Sequence, residues 1–221
     1  MKVAFLHTLA ANQTLFDACI EETSLADIAE VIHYCSPRLL QYASRVGLDA
    51  DLAMQVEQQV LQIEAQGADW IICTCSTIGR LAESAQVQRA QVIRVDRPMA
   101  WAARQAKQMS VLAALKTTLQ PTMNLLAEYQ ADIDQVARVV ILEDAWQHYI
   151  DGQLESYHQT IANYIEQHCE GDDAVVLAQA SMAPAVKFLP TAMKAKVLTS
   201  PSSCIEYLVE QLVSPAEKGQ S

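Results

Sequence analysis

A short pattern occurs twice in this sequence and constrains what the chain can fold into. The first copy, GADWIICTCSTIG, has Asp69 near its start and Cys75 six residues later, and the second, DDAVVLAQASMAP, has Asp173 and Gln179 at the same spacing. In each copy a continuous apolar run separates the aspartate from small polar residues, a pattern typical of a buried strand in a parallel sheet. The repeat therefore predicts two similar halves, with a thiol at one strand end and an amide at the other.

Apolar runs that suit strands alternate with amphipathic stretches along the chain. Such alternation favours parallel sheets and an α/β fold. Eight runs divide four and four, with the repeated motif on the third of each set, and they cover residues 2–8, 30–35, 69–74, 91–96, 110–115, 138–143, 173–179 and 194–200. We expect two pseudo-symmetric α/β domains, each a four-stranded parallel sheet flanked by helices, with an active-site cleft between them. The predicted first half is residues 1–97 plus 198–221, and the second is residues 98–197.

Helical periodicity fills several of the gaps between these runs. It is clearest over residues 52–64, 123–128 and 157–168. The segment CIEYLVEQLV near the C terminus predicts an amphipathic helix that returns to the first half. Residues 214–221, SPAEKGQS, are expected to form a solvated tail.

Composition narrows the function classes. Hydrophobic residues make up 51% of the 221 residues, and the net charge of −11 argues against nucleic acid, because phosphates would not be neutralised. An anionic substrate needs only local donors and stays compatible with this charge. No apolar stretch approaches the length of a membrane span, and the N terminus lacks the apolar core of a secretory signal. With six cysteines in such a chain, we expect a reduced cytoplasmic protein, and a homo-oligomer is compatible with it.

Cys75 is the first candidate for chemistry. It follows a predicted strand and precedes Ser76, Thr77 and Gly79, where a helix start would supply backbone N–H groups and a dipole that lower a thiol pKa. These surroundings favour a nucleophile or an acid/base, and the alternative is a small buried core residue. Cys73 forms a C-x-C pair with it, but the sequence has no second pair with zinc-ligand spacing, so we expect no metal.

Gln179 stands at the matching place in the second copy of the motif. An amide cannot exchange protons near neutral pH, but it donates hydrogen bonds to a ligand. The alternative is a strand-end amide that satisfies backbone groups. Ser181 follows shortly after and is either a ligand donor or the N-cap of a helix.

Polar residues also follow other predicted strands, where the active-site groups of parallel sheets gather. His7 and Thr8 end the first strand, and His7 is either a group that relays protons to a thiol or a satisfied, half-buried side chain. Thr118 follows the fifth strand as a carboxylate ligand or a helix cap. Asp96 and Arg97 lie at the end of the fourth strand, where the pair is either a structural hinge or a clamp for the substrate. The histidines in or beside helical stretches are expected in solvated positions: His148, His158 and His168.

These motifs resemble those of the aspartate/glutamate/hydantoin racemase superfamily. In that family two strand ends each present a cysteine, commonly as CNT in the first half and as GCT or GCAGMA in the second, with an aspartate as far ahead as in this chain. Cys75-Ser76-Thr77 stands in the first position here. The segment from Leu177 to Ala183, LAQASMA, is similar to the hydantoin-racemase LGCAGMA, with Gln179 in place of the cysteine. The resemblance implies two α/β domains with the active site between them and a reaction without a cofactor.

The resemblance also implies a small carboxylate substrate that is held by hydroxyls and backbone amides at the strand ends. The matching positions are Thr8, Ser76, Thr77, Thr118, Ala180 and Ser181. Racemisation by two bases needs an acid/base on each face of the substrate carbon, and Gln179 cannot serve as one. The family also resembles a one-cysteine arylmalonate decarboxylase, which protonates an enediolate from one side. The cysteine of that enzyme belongs to the second half, whereas Cys75 belongs to the first.

We therefore expect a cofactor-independent enzyme that acts at the carbon alpha to a carboxylate. Cys75 would be the acid/base or nucleophile and His7 its helper, while an enolate or enediolate is stabilised by hydrogen bonds. Isomerase or racemase-like chemistry, decarboxylation and C–C lyase chemistry stay open. Two other classes also stay open: a non-catalytic small-carboxylate binding protein that kept the cleft, and a redox-sensing protein that uses Cys73 and Cys75.

Overall fold

The structure, a computed structural model, describes residues 1–213, so the expected tail at residues 214–221 lies outside the described residues. The chain forms two compact units. The first contains Met1–Val95 and the residues from Cys204 onward, and the second contains Asp96–Ser203. Each unit has its own sheet and its own apolar core.

The sheet of the first unit contains four parallel strands in the order β2-β1-β3-β4. The strands are β1 Lys2–His7, β2 Glu30–Cys35, β3 Trp70–Cys73 and β4 Gln91–Arg94. The two central strands, β1 and β3, are almost wholly buried, whereas the edge strand β2 is partly exposed along its length. This difference explains why the central strands are continuous apolar runs in the sequence.

The sheet of the second unit repeats this arrangement. Its strands are β5 Met109–Ala113, β6 Ala137–Ile141, β7 Ala174–Leu177 and β8 Val197–Thr199. They are parallel and ordered β6-β5-β7-β8, so the first, second, third and fourth strands of the two units occupy matching places. Two four-stranded parallel sheets flanked by helices are thus confirmed, with each strand near the place that the sequence predicts.

Helices occupy most of the connections between strands. In the first unit they are α1 Ala11–Glu21, α2 Leu25–Ile28, α3 Pro37–Val46, α4 Ala50–Ala65 and α5 Gly79–Glu83. In the second unit they are α6 Arg97–Ala103, α7 Lys116–Ala127, α8 Ile133–Val136, α9 Glu143–Ile150, α10 Leu154–His168 and α11 Thr191–Lys194, together with a 3₁₀ helix at Ala180–Phe188. The last helix, α12 Ser200–Val213, starts in the second unit and continues into the first.

The long helix α4 shows how the sequence produces these elements. The side chain of Asp49 accepts a hydrogen bond from the backbone N–H of Leu52 and so caps the first turn. Apolar residues then recur at helical spacing, and Leu52, Val56, Val60 and Ile63 are buried in one cluster with residues of β1 and β3. The helix therefore covers one face of the first sheet.

The two aspartates of the repeated motif have the same structural role. Asp69 accepts a hydrogen bond from the backbone N–H of Lys2 at 2.8 Å, and its own N–H donates to the carbonyl of that residue. Asp173 accepts from the backbone N–H groups of Lys107 and Gln108 at 2.9 and 3.1 Å and donates to the carbonyl of Gln108. Each aspartate joins the amino end of the third strand to the start of the first strand, so the repeat is a feature of the fold.

Candidate active site

The strand-end segment of the first unit runs from Thr74 to Ile78. Thr74 and Cys75 leave β3 in an irregular conformation, the next three residues form a turn, and α5 begins only at Gly79. The expectation of a helix that starts at Cys75 is therefore wrong. The turn brings Gly79 against β4, where an added Cβ would lie 2.8 Å from the Cβ of Arg94, so the helix starts at the residue that permits this approach.

Cys75 is a mostly buried thiol. It is 8% exposed and belongs to the apolar cluster that contains Leu6, Ile71 and Ile78. The sulfur of Cys73 lies 3.7 Å from the carbonyl oxygen of Cys75 and donates to it. All six cysteines lie in the described part of the chain, and none of them forms a disulfide.

His7 is fully buried and uses both ring nitrogens. Its Nδ1 lies 2.8 Å from the hydroxyl of Thr74, and its Nε2 lies 2.8 Å from Nδ1 of His33. His7 therefore contacts the residue that precedes Cys75 rather than the thiol itself. Burial, with a smaller contribution from neighbouring His33, lowers the pKa of His7 from 6.5 to about 4, so the ring is neutral at pH 7.

The register of the strands explains why these residues meet. Phe5 pairs with His33 across β1 and β2, and Leu6 pairs with Cys73 across β1 and β3. Because side chains alternate along a strand, His7 lies on the same face as Phe5 and beside Thr74. The two imidazoles are nearly parallel, with ring centroids 5.1 Å apart, and Phe5 stacks on His33 at 5.4 Å.

The other candidates of the first unit lie at the same edge of its sheet. Thr8 follows β1 directly and is buried, while Ser76 and Thr77 lie in the turn after Cys75 and are partly exposed. The carboxyl ends of β1 and β3 thus bring His7, Thr8 and the Cys75 segment together.

Gln179 is the counterpart of Cys75 in the second unit. The backbone N–H of Thr74 donates to the carbonyl of Leu6, and that of Ala178 donates to the carbonyl of Leu112. Cys75 and Gln179 are therefore each the second residue after a third strand.

The side chain of Gln179 closes the loop after β5. Its oxygen accepts from the backbone N–H groups of Ala114 at 2.6 Å and Leu115 at 3.0 Å. This contact agrees with the second interpretation of Gln179, in which its amide forms hydrogen bonds with backbone groups at the strand end. Since the oxygen is engaged, the NH₂ group is the part of this side chain that can donate to a ligand.

Ser181 is held by two residues of α10. Its hydroxyl lies 3.1 Å from that of Tyr157, and its carbonyl oxygen lies 3.0 Å from Nε2 of His158. The expectation of an N-cap at Ser181 is wrong, because the 3₁₀ helix begins at Ala180 and Gln179 is its cap residue. The expectation of a solvated His158 is also wrong, because the residue is half-buried against Ser181, and this burial lowers the pKa of its ring.

Thr118 lies inside α7 rather than at its cap. The helix begins at Lys116, and the residue in the cap position is Leu115, so the interpretation of Thr118 as a cap is wrong. Thr118 is buried, and its carbonyl accepts a hydrogen bond from the hydroxyl of Thr122. Its place at the start of α7 keeps it near the loop that Gln179 closes.

Arg97 pairs with residues of its own unit. Its guanidinium donates to Glu128 at 2.9 Å and to the hydroxyl of Tyr129 at 2.8 Å. These contacts favour the structural interpretation of this residue over a substrate clamp.

Three residues of this site carry no signal in the sequence: His33 and Thr74, which contact His7, and Asp17, which contacts His33. Nε2 of His33 lies 3.1 Å from a carboxylate oxygen of Asp17, which extends the contacts of His7 toward solvent. Alternation along predicted strands could have placed His33 on one face of β2, but only the register between strands puts it beside His7. Asp17 lies on α1, which is not among the helices that the sequence periodicity predicts.

Other features of the described residues lie away from these segments. A pocket of about 570 Å³ in the second unit is lined by residues of the β6–α9 segment and of α10, including Leu142, Asp144, Asn163 and Tyr164, and not by Gln179 or Ser181. Within residues 1–213, no group of three or more His, Cys, Asp or Glu side chains could hold a metal ion. No helix in the same range combines the length and apolar character needed to cross a membrane.

Comparison of the sequence with protein-family models finds no match. Comparison with curated proteins finds no match either. Comparison of the fold with solved structures, in contrast, finds close similarity to several racemases.

Aspartate racemase from Picrophilus torridus is 15% identical, with a TM-score of 0.70 over 96% of this chain and 94% of that one. Allantoin racemase from Klebsiella pneumoniae is 18% identical, with a TM-score of 0.65 over 99% and 90%. Glutamate racemase from Thermus thermophilus, solved with β-chloro-D-alanine, is 16% identical, with a TM-score of 0.64 over 99% and 84%. The chain has the fold of the aspartate, glutamate and allantoin racemases over nearly its whole length.

Proposed function

We propose that the protein is a cofactor-independent enzyme of the aspartate/glutamate/hydantoin racemase superfamily, an isomerase in the broad sense, which acts at the carbon alpha to a carboxylate through one thiol. The observation that carries the proposal is the racemase fold with Cys75 two residues after β3 and Gln179 at the matching place after β7. Aspartate, glutamate and allantoin are the substrates named for the similar structures, so small amino-acid-like carboxylates or hydantoins are the first compounds to test.

In this proposal the strand-end segment of the first unit supplies the chemistry. The thiol of Cys75 takes or gives a proton at the substrate carbon, and the hydroxyls of Thr8, Ser76 and Thr77 hold the carboxylate. The position of the thiol two residues after β3, with the hydroxyls of Ser76 and Thr77 directly after it, supports this role.

The segment of the second unit supplies binding without acid/base chemistry. The NH₂ group of Gln179, the backbone of Ala180 and the hydroxyls of Ser181 and Thr118 are the groups that donate to the substrate. The anchoring of Ser181 by Tyr157 and His158 supports a fixed orientation for its hydroxyl. Since an amide cannot replace the second thiol, a proton removed by Cys75 returns from the same side.

Exchange of the alpha proton in deuterated water tests the proposal. The protein is incubated with L-aspartate, D-aspartate, both glutamates and a 5-substituted hydantoin. Proton NMR then follows loss of the alpha signal while chiral chromatography follows configuration. We expect exchange with at least one compound and retention of its configuration, because only one face carries a proton donor.

The matched control is a thiol elsewhere in the core. Cys75→Ser removes the proposed acid/base, whereas Cys169→Ala removes a buried thiol of the second unit that is not at a strand end. Exchange of the alpha proton that survives in Cys75→Ser contradicts the proposal. So does the absence of exchange with every compound in both the wild type and Cys169→Ala.

A small-carboxylate binding protein is the second candidate, and the contacts of Gln179 are the observation that favours it. Gln179 stabilises the loop after β5, a role that needs no reaction. Calorimetric titration that detects binding of a dicarboxylate, together with absence of exchange and of decarboxylation, would select this candidate.

A further inference from the structure

Four side chains of the first unit form an unbroken line of hydrogen bonds from solvent to the strand-end segment. Asp17 contacts His33 at 3.1 Å, His33 contacts His7 at 2.8 Å, and His7 contacts Thr74 at 2.8 Å. The side chain of Asp17 is 47% exposed and that of His33 is 11% exposed, while His7 is fully buried. Thr74 directly precedes Cys75 in the chain.

We propose that Asp17, His33, His7 and Thr74 form a proton relay that exchanges protons between solvent and the segment that carries Cys75. The inference deepens the proposed function and rests on it, since a mostly buried acid/base thiol needs a route by which its proton is replenished or removed. In this relay His33 and Asp17 are positioning residues, because they act through His7 and Thr74.

The direction of the hydrogen bonds follows from the outer end of the line. A carboxylate only accepts, so Nε2 of His33 donates to Asp17, and the other nitrogen of the neutral ring, Nδ1, accepts from Nε2 of His7. Nδ1 of the neutral His7 ring is then the acceptor for the hydroxyl of Thr74 at 2.8 Å, and the same hydroxyl also lies 3.3 Å from the carbonyl oxygen of Leu6.

In this arrangement every donor points outward, so one proton can travel from the site to the surface. The Thr74 oxygen takes the incoming proton as its own proton passes to Nδ1 of His7. The Nε2 proton of His7 passes to Nδ1 of His33, and the Nε2 proton of His33 passes to Asp17, which releases it to water. One proton enters the line and one leaves it, and both imidazoles end neutral with the proton on the other ring nitrogen. The same transfers in reverse order carry a proton from solvent to the site.

The electrostatics of the line support this role. Burial lowers the pKa of both histidines, and the carboxylate of Asp17 opposes the shift only at His33. The groups around His7 are His33 of β2, Thr74 just after β3, and the rings of Phe5 and Phe16, so Asp17 is the charged group of the line and lies at its outer end. Neutral imidazoles in the resting state allow transfer without a fixed charge in the core.

A network that only stabilises the fold would show the same distances, so the test must follow protons. Asp17→Asn is the informative variant, because its amide oxygen still accepts from Nε2 of His33 but can no longer take a proton. Asp27→Asn, at an exposed aspartate of α2, is the matched control for the change in charge.

NMR on protein labelled with ¹⁵N at histidine gives the first readout, which does not depend on activity. We expect both His7 and His33 as Nε2–H tautomers at pH 7. We also expect exchange of these ring protons with deuterated water to slow by about tenfold or more in Asp17→Asn, at unchanged melting temperature and with no change in Asp27→Asn. An Nδ1–H tautomer at His7, or equal exchange rates in the wild type and Asp17→Asn, would overturn the relay.

The second readout is turnover on any substrate that the wild type accepts. Asp17→Asn should lower kcat and alter its dependence on pH while leaving KM nearly unchanged, whereas Asp27→Asn should match the wild type. If no substrate is found, the proposed function fails while the NMR measurements still decide whether the line exchanges protons. If turnover is found but is insensitive to Asp17→Asn, the relay fails and the proposed function stands.

Discussion

The side-chain oxygen of Gln179 lies 2.6 Å from the backbone nitrogen of Ala114, and this contact joins the end of β7 to the loop after β5. Gln179 thus makes hydrogen bonds that a thiol at this position would make only weakly. An amide at this position stabilises the second unit and leaves Cys75 as the acid/base of the proposed site.

The first prediction concerns the stability that Gln179 provides. Gln179→Leu should lower the free energy of unfolding by about 1–3 kcal/mol, because two partly buried backbone N–H groups lose their acceptor. Gln179→Glu should stay close to the wild type, since a carboxylate accepts the same bonds. Urea denaturation measures both, with the exposed Gln120→Leu as control, and equal midpoints for Gln179→Leu and wild type would refute the role.

The second prediction concerns Cys75. Cys75→Ala should abolish turnover while lowering the free energy of unfolding by only about 1 kcal/mol, as expected for a small cavity. Cys169→Ala should show a comparable loss of stability and full activity, because Cys169 is also buried and accepts from Arg138 but lies before β7 rather than after a strand end. Turnover by Cys75→Ala would contradict the role of Cys75 as the acid/base, and the binding-protein interpretation would then be preferred.

The third prediction concerns the second face of the substrate carbon. Gln179→Cys restores a proton donor at the position that matches Cys75, so it should convert exchange with retention into racemisation. Optical rotation of the accepted substrate measures this gain, and Gln179→Ser, which offers no acid/base of suitable pKa, is the control. Racemisation by the wild type would show that a second base already exists, and His7 would then be the first residue to change.

The fourth prediction concerns pH. His7 has a pKa of about 4 in the folded protein and 6.5 when unfolded, so between these values the unfolded state binds more protons and stability falls as the pH falls. The folded state should lose about 3 kcal/mol between pH 6.5 and pH 4 from this group, and the lowered pKa of His33 acts in the same direction. More than about one pH unit above 6.5, both states have neutral rings and neither group contributes pH dependence.

His7→Gln isolates this contribution, because an amide keeps hydrogen bonds to Thr74 and His33 but does not titrate. The difference in unfolding free energy between wild type and His7→Gln should shrink as the pH is lowered from 6.5 to 4. A difference that is constant over this range would contradict the shifted pKa of His7.

The sequence predicted the elements of this fold well because the central strands are buried on both faces. Runs such as the one that ends at Cys73 have no polar residue to interrupt them, and the strand stops where Thr74 and Cys75 leave the ladder. The repeat of Asp69 and Asp173 marked two equivalent strands correctly, since each aspartate joins the third strand to the first.

The contacts of the candidate site could not be derived in the same way. The position of Cys75 follows from one strand, whereas the contact of His7 with His33 depends on the register between two strands. The engagement of the Gln179 oxygen depends on where the loop after β5 passes, and no local pattern specifies that path. Residues whose roles depend on two elements are thus the ones that the sequence left open.

The course of α12 sets an order for folding during synthesis. The residues of the second unit, up to Ser203, are complete before the helix supplies Cys204, Ile205 and Leu208, which are buried in the first unit. The edge-to-face contact between Trp70 and Tyr207 likewise joins an early strand to a late helix. On the ribosome, the first unit emerges first but completes its fold last, when α12 has been synthesised. The fluorescence of Trp70 should report the docking of this helix, because Trp70 contacts Tyr207.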